Sequence, residues 1–198
     1  MIELIDLENS DPYQKFESLY KKAVKSKQRN IEAISISSFD ESLNEVQSRL
    51  VNLKFVKDDQ WIFFSNYDSP KSKSFNSHQQ ISGLIFWNTI NVQIRLKANI
   101  EKTSKSFNES YFKKRSKEKN ALAISSNQSS VIESYREVIS KYEDVKISKD
   151  LTKCPNYWGG FKFIPYEIEF WKGNEFRLNK RDLFKKRNKG WEHFILEP

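Results

Sequence analysis

Two arginines and an asparagine alternate in the stretch FRLNKR near the end of the chain. If this stretch is a β-strand, Arg177, Asn179 and Arg181 point to one face. Trp171 lies just before the preceding turn, so an aromatic plane opposite guanidinium and amide groups could hold a flat heterocycle. The polar outer face of an edge strand shows the same alternation, because charges there discourage aggregation. The pattern leaves both interpretations open.

A tyrosine and an arginine form a second candidate site, within the stretch SFNESYFKKRSKEK. This stretch is predicted to be helical, so Tyr111 and Arg115 share one face, and Lys119 continues that face if the helix persists. A guanidinium beside a phenol hydroxyl could clamp a phosphate group. The alternative is a solvent-facing helix with the tyrosine packed beneath it, and the spacing alone favours that alternative.

The stretch SSNQSS, residues 125–130, ends one predicted helix and precedes another. Its hydroxyl and amide side chains either cap the helices or donate to a ligand at a helix N-terminus. The spacing does not decide between these roles.

Several common kinds of site are absent from the sequence. There is no GxSxG motif, and His78 and His193 stand far apart without paired carboxylates. Cys154 is the only cysteine, which rules out an intramolecular disulfide and argues against a metal cluster. With five glycines in all, neither a dinucleotide fingerprint nor a P-loop is present.

The chain is basic, with 34 Lys and Arg against 26 Asp and Glu and a net charge of +8. Such a charge suits nucleic acid, an anionic membrane or phosphorylated small molecules, but surplus lysine can also be simply solvated surface. The basic residues are spread among separate motifs without a recognisable nucleic-acid module, so we expect no nucleic-acid partner.

Length and hydropathy predict one cytoplasmic domain. A chain of 198 residues favours a single domain, here 1–198. Its longest apolar patch, GLIFW, is too short to span a bilayer, and the acidic start MIELIDLENS does not resemble a leader peptide. We therefore expect a soluble protein with no membrane partner.

The first half of the chain predicts one helix followed by strands. Ser10, Asp11 and Pro12 begin a helix over about 11–26, in which apolar residues recur at helical spacing. IEAISIS alternates as a strand, and DDQ turns RLVNLKFV into WIFFSN, which predicts a hairpin. The polar stretch YDSPKSKSFNSHQQ predicts a loop leading into a short helix, and NTIN joins the strands ISGLIFW and VQIRLKANIEK.

The second half predicts helices and then three strands. Ser106 and Glu109 form a capping-box pattern, and further helices are predicted around EKNALAIS and SVIESYREVISKYEDV. The strands GGFKFIPYEIEFW, EFRLNKRDLFKKR and WEHFILEP follow. The fold class is therefore mainly β with inserted helices (α+β), as an antiparallel barrel.

In this order the motifs resemble the pyridoxine (pyridoxamine) 5′-phosphate oxidase family. The resemblance runs from Asp11 to Pro198 and is carried by RLVNLK, FFSNYDSPK, VQIR, YFKKR, NQSSVI, WGGF, EIEFW, RLNKR and the terminal LEP. It implies an FMN-binding split β-barrel that forms a homodimer, with FMN at the subunit interface and dimerisation-type strands over about 158–198. It also implies a role in pyridoxine biosynthesis: oxidation of pyridoxamine or pyridoxine 5′-phosphate to pyridoxal 5′-phosphate, with O2 reduced to hydrogen peroxide.

The resemblance further implies two sets of site residues. The FMN-binding set is Arg49, Leu50, Phe64, Ser65, Lys71, Gln93, Arg95, Gln128, Ser129, Trp171 and Arg181. The set for the phosphorylated pyridine substrate is Lys54, Tyr111, Arg115, Lys119, Arg177 and Asn179, of which Arg177 and Asn179 are the catalytic candidates. No metal is implied.

Four positions depart from the family pattern, one of them Ser116, which replaces a proline. Pro70 stands where the family has an arginine near the FMN phosphate, and Lys119 replaces a phosphate-binding serine. Asn179 replaces a substrate-facing histidine, and an asparagine cannot titrate near neutral pH. The alternatives to the oxidase are therefore a split-barrel flavoprotein with another substrate, or a non-catalytic protein that binds FMN or pyridoxal phosphate.

Overall fold

Alternating apolar residues build a closed ring of strands in the computed structural model, which describes residues 1–198. The strands are β1 (Glu3–Ile5), β2 (Ala33–Asp40), β3 (Glu45–Lys57), β4 (Gln60–Asn66), β5 (Gln80–Trp87), β6 (Val92–Lys102), β7 (Trp158–Lys172), β8 (Lys180–Arg187) and β9 (Gly190–Leu196). Strands β3, β2, β5, β6, β7 and β4 pair antiparallel in that order, and β4 closes the ring onto β3. β1 joins β3 in parallel, and β8 and β9 extend the sheet from β7.

Five helices decorate this barrel: α1 (Asp11–Lys25), α2 (Pro70–Ser77), α3 (Lys105–Lys114), α4 (Lys117–Ser125) and α5 (Tyr135–Ser148). The apolar face of α1 packs on the barrel core, where the Phe16 ring lies 4.4 Å from that of Trp61. Both rings are fully buried, and burying a phenylalanine side chain contributes roughly 1.5–3 kcal/mol. The predicted α+β class, an antiparallel barrel with inserted helices, is confirmed.

The long strand β7 determines how far apart parts of the site lie. Near its start, Gly159 pairs with Ser65 of β4, whereas near its end Trp171 pairs with Gln93 of β6 and Arg181 of β8. Gly159 and Trp171 are twelve residues apart, a separation of roughly 40 Å along an extended strand. Residues around Ser65 and residues around Trp171 therefore lie near opposite ends of this strand.

The β3–β4 hairpin and the N-terminal helix lie where the sequence predicts them, but the cap of α1 differs in detail. Ser10 occupies the N-cap position, yet its side chain makes no capping hydrogen bond. Its extended backbone and the proline in the first turn are enough to start the helix.

The predicted capping box at Ser106 and Glu109 is wrong. Ser104 is the N-cap of α3, and its hydroxyl accepts a hydrogen bond from the backbone N–H of Phe107 at 3.3 Å. The last predicted helix is also shorter than expected, because α5 begins only after Ser134, whose side chain caps it.

The prediction of one helix face for the second candidate site is also wrong. α3 ends at Lys114, and Arg115 and Ser116 are extended, so Tyr111, Arg115 and Lys119 do not share one continuous helix face. Ser116 caps α4 instead, because a serine hydroxyl satisfies the free N–H groups of a new helix.

No helix of the structure combines the length and the apolar character needed to cross a membrane.

The predicted strand alternation of Arg177, Asn179 and Arg181 is wrong as well. β8 begins only at Lys180, and Arg177 lies in a turn with φ of 59°. The Asn174 carbonyl accepts from the Arg177 N–H at 3.1 Å, and the Asn179 carboxamide accepts from the Asn174 N–H at 3.1 Å. These local bonds compete with strand pairing and keep the segment a loop.

Candidate functional site

A cavity of about 760 Å3 lies between the start of the barrel sheet and the α3–α4 segment. The charged part of its lining is mostly cationic, with a single carboxylate, that of Glu3. The cations are Lys54, Lys71, Lys114, Arg115 and Lys119. None of these five forms an ion pair within the chain. The cavity therefore has an excess of positive charge that an anionic ligand could neutralise.

Lys71, in the first turn of α2, is the most buried of these cations, with 9% of its surface exposed. Its ammonium donates to the hydroxyls of Ser65 and Ser69, both at 3.1 Å. The Ser65 hydroxyl in turn donates to the side-chain oxygen of Gln128 at 3.1 Å. A neutral hydrogen-bonded chain thus holds a charge that has no counter-ion.

Arg49 adds a second uncompensated charge nearby. Its guanidinium donates to the Ser38 hydroxyl at 2.8 Å, to the Ile36 carbonyl at 3.2 Å and to the Gln47 side-chain oxygen at 3.3 Å, all neutral acceptors. Burial first, and then the charge of Arg49, lower the pKa of Lys71 from its usual 10.5 to about 8. Two cations that repel each other without a carboxylate form a site for a doubly charged anion such as a phosphate monoester.

Stacked aromatic rings form the wall beside this cation pair. The Tyr111 ring stacks on that of Phe64 at 4.0 Å, and Phe64 stacks on Trp158 at 5.1 Å. The Tyr111 hydroxyl makes no hydrogen bond within the chain and can therefore bind a ligand. Such a wall offers flat apolar surface to a ring-shaped ligand.

Arg115 lies over the far end of the ring stack. Its guanidinium carbon is 4.5 Å from the centroid of Trp158, a cation–π contact. One terminal nitrogen is buried without any partner, and the other reaches only the Lys119 carbonyl, at 3.5 Å. An orphaned guanidinium nitrogen in a cavity fits an oxygen of an anionic ligand.

Lys54 and Lys119 complete a second cationic group around Arg115. Burial, which the Glu32 carboxylate partly offsets, lowers the pKa of Lys54, and the charges of Lys119 and Arg115 lower it further. The repulsion shows that the three charges are close together in space. Arg115 and Ser116 are extended and separate α3 from α4. The side chains of Lys54, Arg115 and Lys119 therefore come together through this break in the chain and not through the face of one helix.

Four of the predicted FMN-binding residues lie elsewhere, on the outer face of neighbouring strands: Gln93, Arg95, Trp171 and Arg181. Arg181 donates to the Glu169 carboxylate at 2.8 Å, and Arg95 donates to the same carboxylate at 3.4 Å. Gln93 accepts from Arg95 at 3.4 Å and pairs across the sheet with Trp171. These residues form one outer cluster at the far end of β7, away from the cavity.

Four further predicted residues fall outside both groups or at their edge. Arg177 and Asn179 lie in the loop between β7 and β8, next to the outer cluster. Ser129 has φ of 71° and lines a separate surface pocket beside α5, although its neighbour Gln128 reaches the cavity. Leu50 lines the cavity but remains 73% exposed.

Two residues that the predicted sets omit are central to the geometry. Trp158 underlies Arg115 and Phe64, and Glu169 holds Arg95 and Arg181 together. The WGGF motif contains Trp158, and Glu169 alternates with apolar residues in EIEFW opposite basic strands. A search for carboxylates facing predicted arginines would have found Glu169.

Comparison with known proteins gives the family. The family model described as "Pyridoxine 5′-phosphate oxidase C-terminal dimerisation region" matches residues 158–198. A pyridoxine/pyridoxamine 5′-phosphate oxidase of Vesicomyosocius okutanii is 32% identical over 195 residues, covering 98% of this chain and 91% of the relative. The corresponding protein of Christiangramia forsetii is 37% identical over 194 residues, covering 95% and 89%.

Solved structures show the same fold. PhzG from Burkholderia lata, in complex with tetrahydrophenazine-1-carboxylic acid, superimposes with a TM-score of 0.89 at 21% identity, covering 96% of this chain and 93% of that one. A pyridoxamine 5′-phosphate oxidase-related, FMN-binding protein from Nostoc punctiforme gives 0.78 at 10% identity, covering 96% and 99%. The chain therefore belongs to the pyridoxine/pyridoxamine 5′-phosphate oxidase family and has its split-barrel fold.

Proposed function

We propose that the protein is an FMN-dependent oxidase, which converts pyridoxamine or pyridoxine 5′-phosphate into pyridoxal 5′-phosphate and reduces O2 to hydrogen peroxide. The observation that supports this most is the pair of cationic groups beside one aromatic wall. Lys71 with Arg49, and Arg115 with Lys54 and Lys119, each lack a carboxylate partner. Two such groups match a reaction in which cofactor and substrate each carry a phosphate.

The residues of the first group fit the phosphate of FMN. Lys71 and Arg49 supply charge, and the Ser65 hydroxyl and Gln128 carboxamide supply neutral hydrogen bonds. Pro70 removes the family's additional arginine, so these two cations would carry most of the phosphate charge. FMN, when bound, supplies a ring that accepts hydride and passes the electrons to O2.

The second group fits the phosphate of the substrate. Arg115 would bind through its orphaned guanidinium nitrogen, Tyr111 through its free hydroxyl, and Lys54 as a point charge. Lys119, in place of the family's serine, brings a further charge to this end of the cavity. The contribution of these residues to the reaction is to hold the pyridine ring in position, because the bond-making chemistry belongs to the cofactor.

The outer cluster enters the site only if two copies of the chain combine. Trp171 and Arg181 lie roughly 40 Å along β7 from the cavity that contains Ser65 and Lys71. A homodimer would place the outer cluster of one subunit, with Arg177 and Asn179, beside the cavity of its partner. The match of residues 158–198 to a dimerisation-region model supports this arrangement.

A flavin spectrum tests the proposal directly. The purified protein should be yellow, and anaerobic addition of pyridoxine 5′-phosphate should bleach the flavin. The bleaching step should yield one pyridoxal phosphate per flavin, and admission of air should restore the colour and yield one hydrogen peroxide per flavin. A protein that keeps its flavin colour with both phosphorylated vitamers would contradict the proposed reaction.

A flavoprotein with a different substrate is the second candidate. The features that favour it are Lys119 and Asn179, whose carboxamide is engaged by the backbone of its own loop at 3.1 Å. The solved PhzG protein was crystallised with a tricyclic carboxylic acid rather than a vitamer. Bleaching by another donor, but not by the vitamers, would select this candidate, and ligand binding without any bleaching would indicate a non-catalytic binding protein.

A further inference from the structure

A partly buried polar cluster lies behind the aromatic wall and lines a small pocket separate from the cavity. It consists of Tyr67, Thr103, Asn108 and the backbone of Gly160. None of these side chains lines the cavity, and no role follows for them from the proposed reaction. The cluster nevertheless joins α3, which carries Tyr111 and ends just before Arg115, to β7, which carries Trp158.

Asn108 is the centre of this cluster, with 5% of its surface exposed. Its carboxamide oxygen accepts from the Gly160 N–H at 2.8 Å and from the Thr103 hydroxyl at 2.6 Å. Its amide nitrogen donates to the Tyr67 hydroxyl at 3.0 Å. The Tyr67 hydroxyl then donates to the Gly160 carbonyl at 3.0 Å, which closes the ring of hydrogen bonds.

The missing side chains of two glycines make room for this cluster. A Cβ on Gly159 would overlap the Tyr67 hydroxyl and the Asn108 amide, and a Cβ on Gly160 would lie 2.6 Å from the Thr103 hydroxyl oxygen. The GG of WGGF therefore serves close approach of polar side chains to the backbone rather than a turn.

The cluster fixes α3 to the start of β7. Asn108 lies on α3, one helical turn before Tyr111, and Gly160 lies two residues after Trp158 on β7. Tyr111 and Arg115 depend on α3 for their positions, and Trp158 is the ring over which Arg115 lies. The hydrogen bonds of Asn108 therefore join the helix that precedes Arg115 to the strand that carries Trp158.

We propose that Asn108, Tyr67 and Thr103 are positioning residues, which hold Tyr111 and Arg115 in register with Trp158 so that they bind the substrate phosphate. The inference rests on the proposed function for the identity of the substrate, but the positioning of an anion site can be measured without turnover. A hydrogen-bonded network centred on a buried side chain has few alternative arrangements, so it holds α3 more rigidly than apolar packing of the same residues would.

Tyr67→Phe and Thr103→Val test the inference, because each removes one hydroxyl and leaves the shape almost unchanged. The matched control is Tyr13→Phe, which removes another buried hydroxyl that donates to the Asp59 carbonyl at 2.9 Å, remote from the cavity. Inorganic phosphate is titrated calorimetrically into each FMN-loaded protein, and KM for pyridoxine 5′-phosphate is measured wherever turnover is present.

Both cluster variants should weaken phosphate binding about tenfold and raise KM by a similar factor. The Kd of FMN should stay within about twofold of the wild-type value, and Tyr13→Phe should leave phosphate binding unchanged although it lowers the melting temperature comparably. Equal phosphate affinities for Tyr67→Phe and Tyr13→Phe would overturn the inference, and so would a wild-type protein that binds no phosphate at this group.

A double-mutant cycle separates positioning from general loosening. If the cluster acts through Arg115, Tyr67→Phe should have little further effect on phosphate affinity once Arg115 is replaced by alanine. Additive losses would show that the cluster acts by another route and would overturn the inference. A wild-type protein that binds phosphate but does not oxidise vitamers would contradict the proposed function while leaving this inference testable by the same titrations.

Discussion

Lys71, which lines the cavity, and Arg49 repel each other, and every acceptor of their hydrogen bonds is neutral. Proteins do not gain stability from such an arrangement, because buried like charges raise the free energy of the folded state. The pair becomes favourable only when an anion binds between or beside the two charges. The charges of Lys71 and Arg49 should therefore affect the free energy of unfolding, the affinity for FMN and the pH dependence of both.

FMN affinity should fall as the pH rises above about 8. Burial and Arg49 lower the pKa of Lys71 to about 8, so the free protein loses this ammonium above that pH. Bound phosphate favours the charged form, which means that binding at higher pH must take up a proton. We expect Kd to be nearly constant from pH 7 to 8 and to increase by up to about tenfold per pH unit beyond it. Quenching of FMN fluorescence measures this Kd.

Lys71→Arg is the matched control, because a guanidinium stays charged throughout this range. Its FMN affinity, although altered by the different geometry, should not show the loss between pH 8 and 9.5. A wild-type protein with the same Kd at pH 7 and 9.5 would contradict the assignment of Lys71 to the phosphate.

Lys71→Met should stabilise the FMN-free protein while weakening FMN binding. The folded-state pKa lies below the usual 10.5, so the charge costs free energy at neutral pH. Its removal should raise the free energy of unfolding at pH 7 by about 1–2 kcal/mol, after the loss of bonds to Ser65 and Ser69 is counted. The gain should shrink between pH 8 and 10.5, because the wild-type folded state loses the charge there. Urea unfolding at several pH values checks both parts.

The same variant should bind FMN at least tenfold more weakly, since a charge-assisted bond to phosphate is lost. Lys73→Met on the exposed face of α2 provides the control, as this lysine carries the same charge outside the cavity. Unchanged FMN binding in Lys71→Met, or destabilisation at pH 7, would contradict the argument.

Arg115→Lys should raise KM for pyridoxine 5′-phosphate about tenfold or more. The guanidinium carbon lies 4.5 Å from the centre of the Trp158 ring, and one of its nitrogens has no partner. An ammonium is a point charge that neither stacks on an aromatic ring as a planar group nor presents two donors in one plane. The Kd of FMN should stay within about twofold, because Arg115 belongs to the second cationic group. Steady-state kinetics and FMN titration check the two halves separately.

Lys113→Met is the control for charge alone, because Lys113 lies on the exposed side of α3. If that variant raises KM as much as Arg115→Lys does, general electrostatic attraction, rather than the stacked guanidinium, binds the substrate.

The barrel was predictable because its strands alternate and its turns are marked. DDQ between two apolar runs locates the β3–β4 hairpin, and IEAISIS has the period of a half-buried strand. The loop that contains Arg177 was not predictable in this way. Its residues alternate as a strand does, but the Asn174 and Asn179 side chains bond to the local backbone and stop pairing before Lys180.

The site was predictable only in part from spacing. Tyr111 and Arg115 come together in spite of the helix break between them, since Phe64 and Trp158 hold their side chains. The bond from Ser65 to Gln128 joins residues 63 positions apart, and no local pattern contains that information. Family resemblance supplied such long-range pairs, because relatives that share a fold also share its tertiary contacts.

Complementation between inactive subunits should show that each site uses residues of two chains. Lys71→Ala removes the cavity charge, and Arg181→Ala disrupts the outer cluster at the other end of β7. Each variant alone should be inactive or nearly so. In a randomly mixed population half of the dimers contain one subunit of each kind, and every such dimer has one site with both groups intact.

Co-expression of the two variants should therefore restore about one quarter of the wild-type activity and of the tightly bound flavin. If both groups instead served one site within a single chain, no mixed dimer would contain an intact site, and activity would stay at the level of the single variants. The separation of Gly159 and Trp171 along β7 argues for the first result, since the strand places the cavity near its start and Arg181 beside its end.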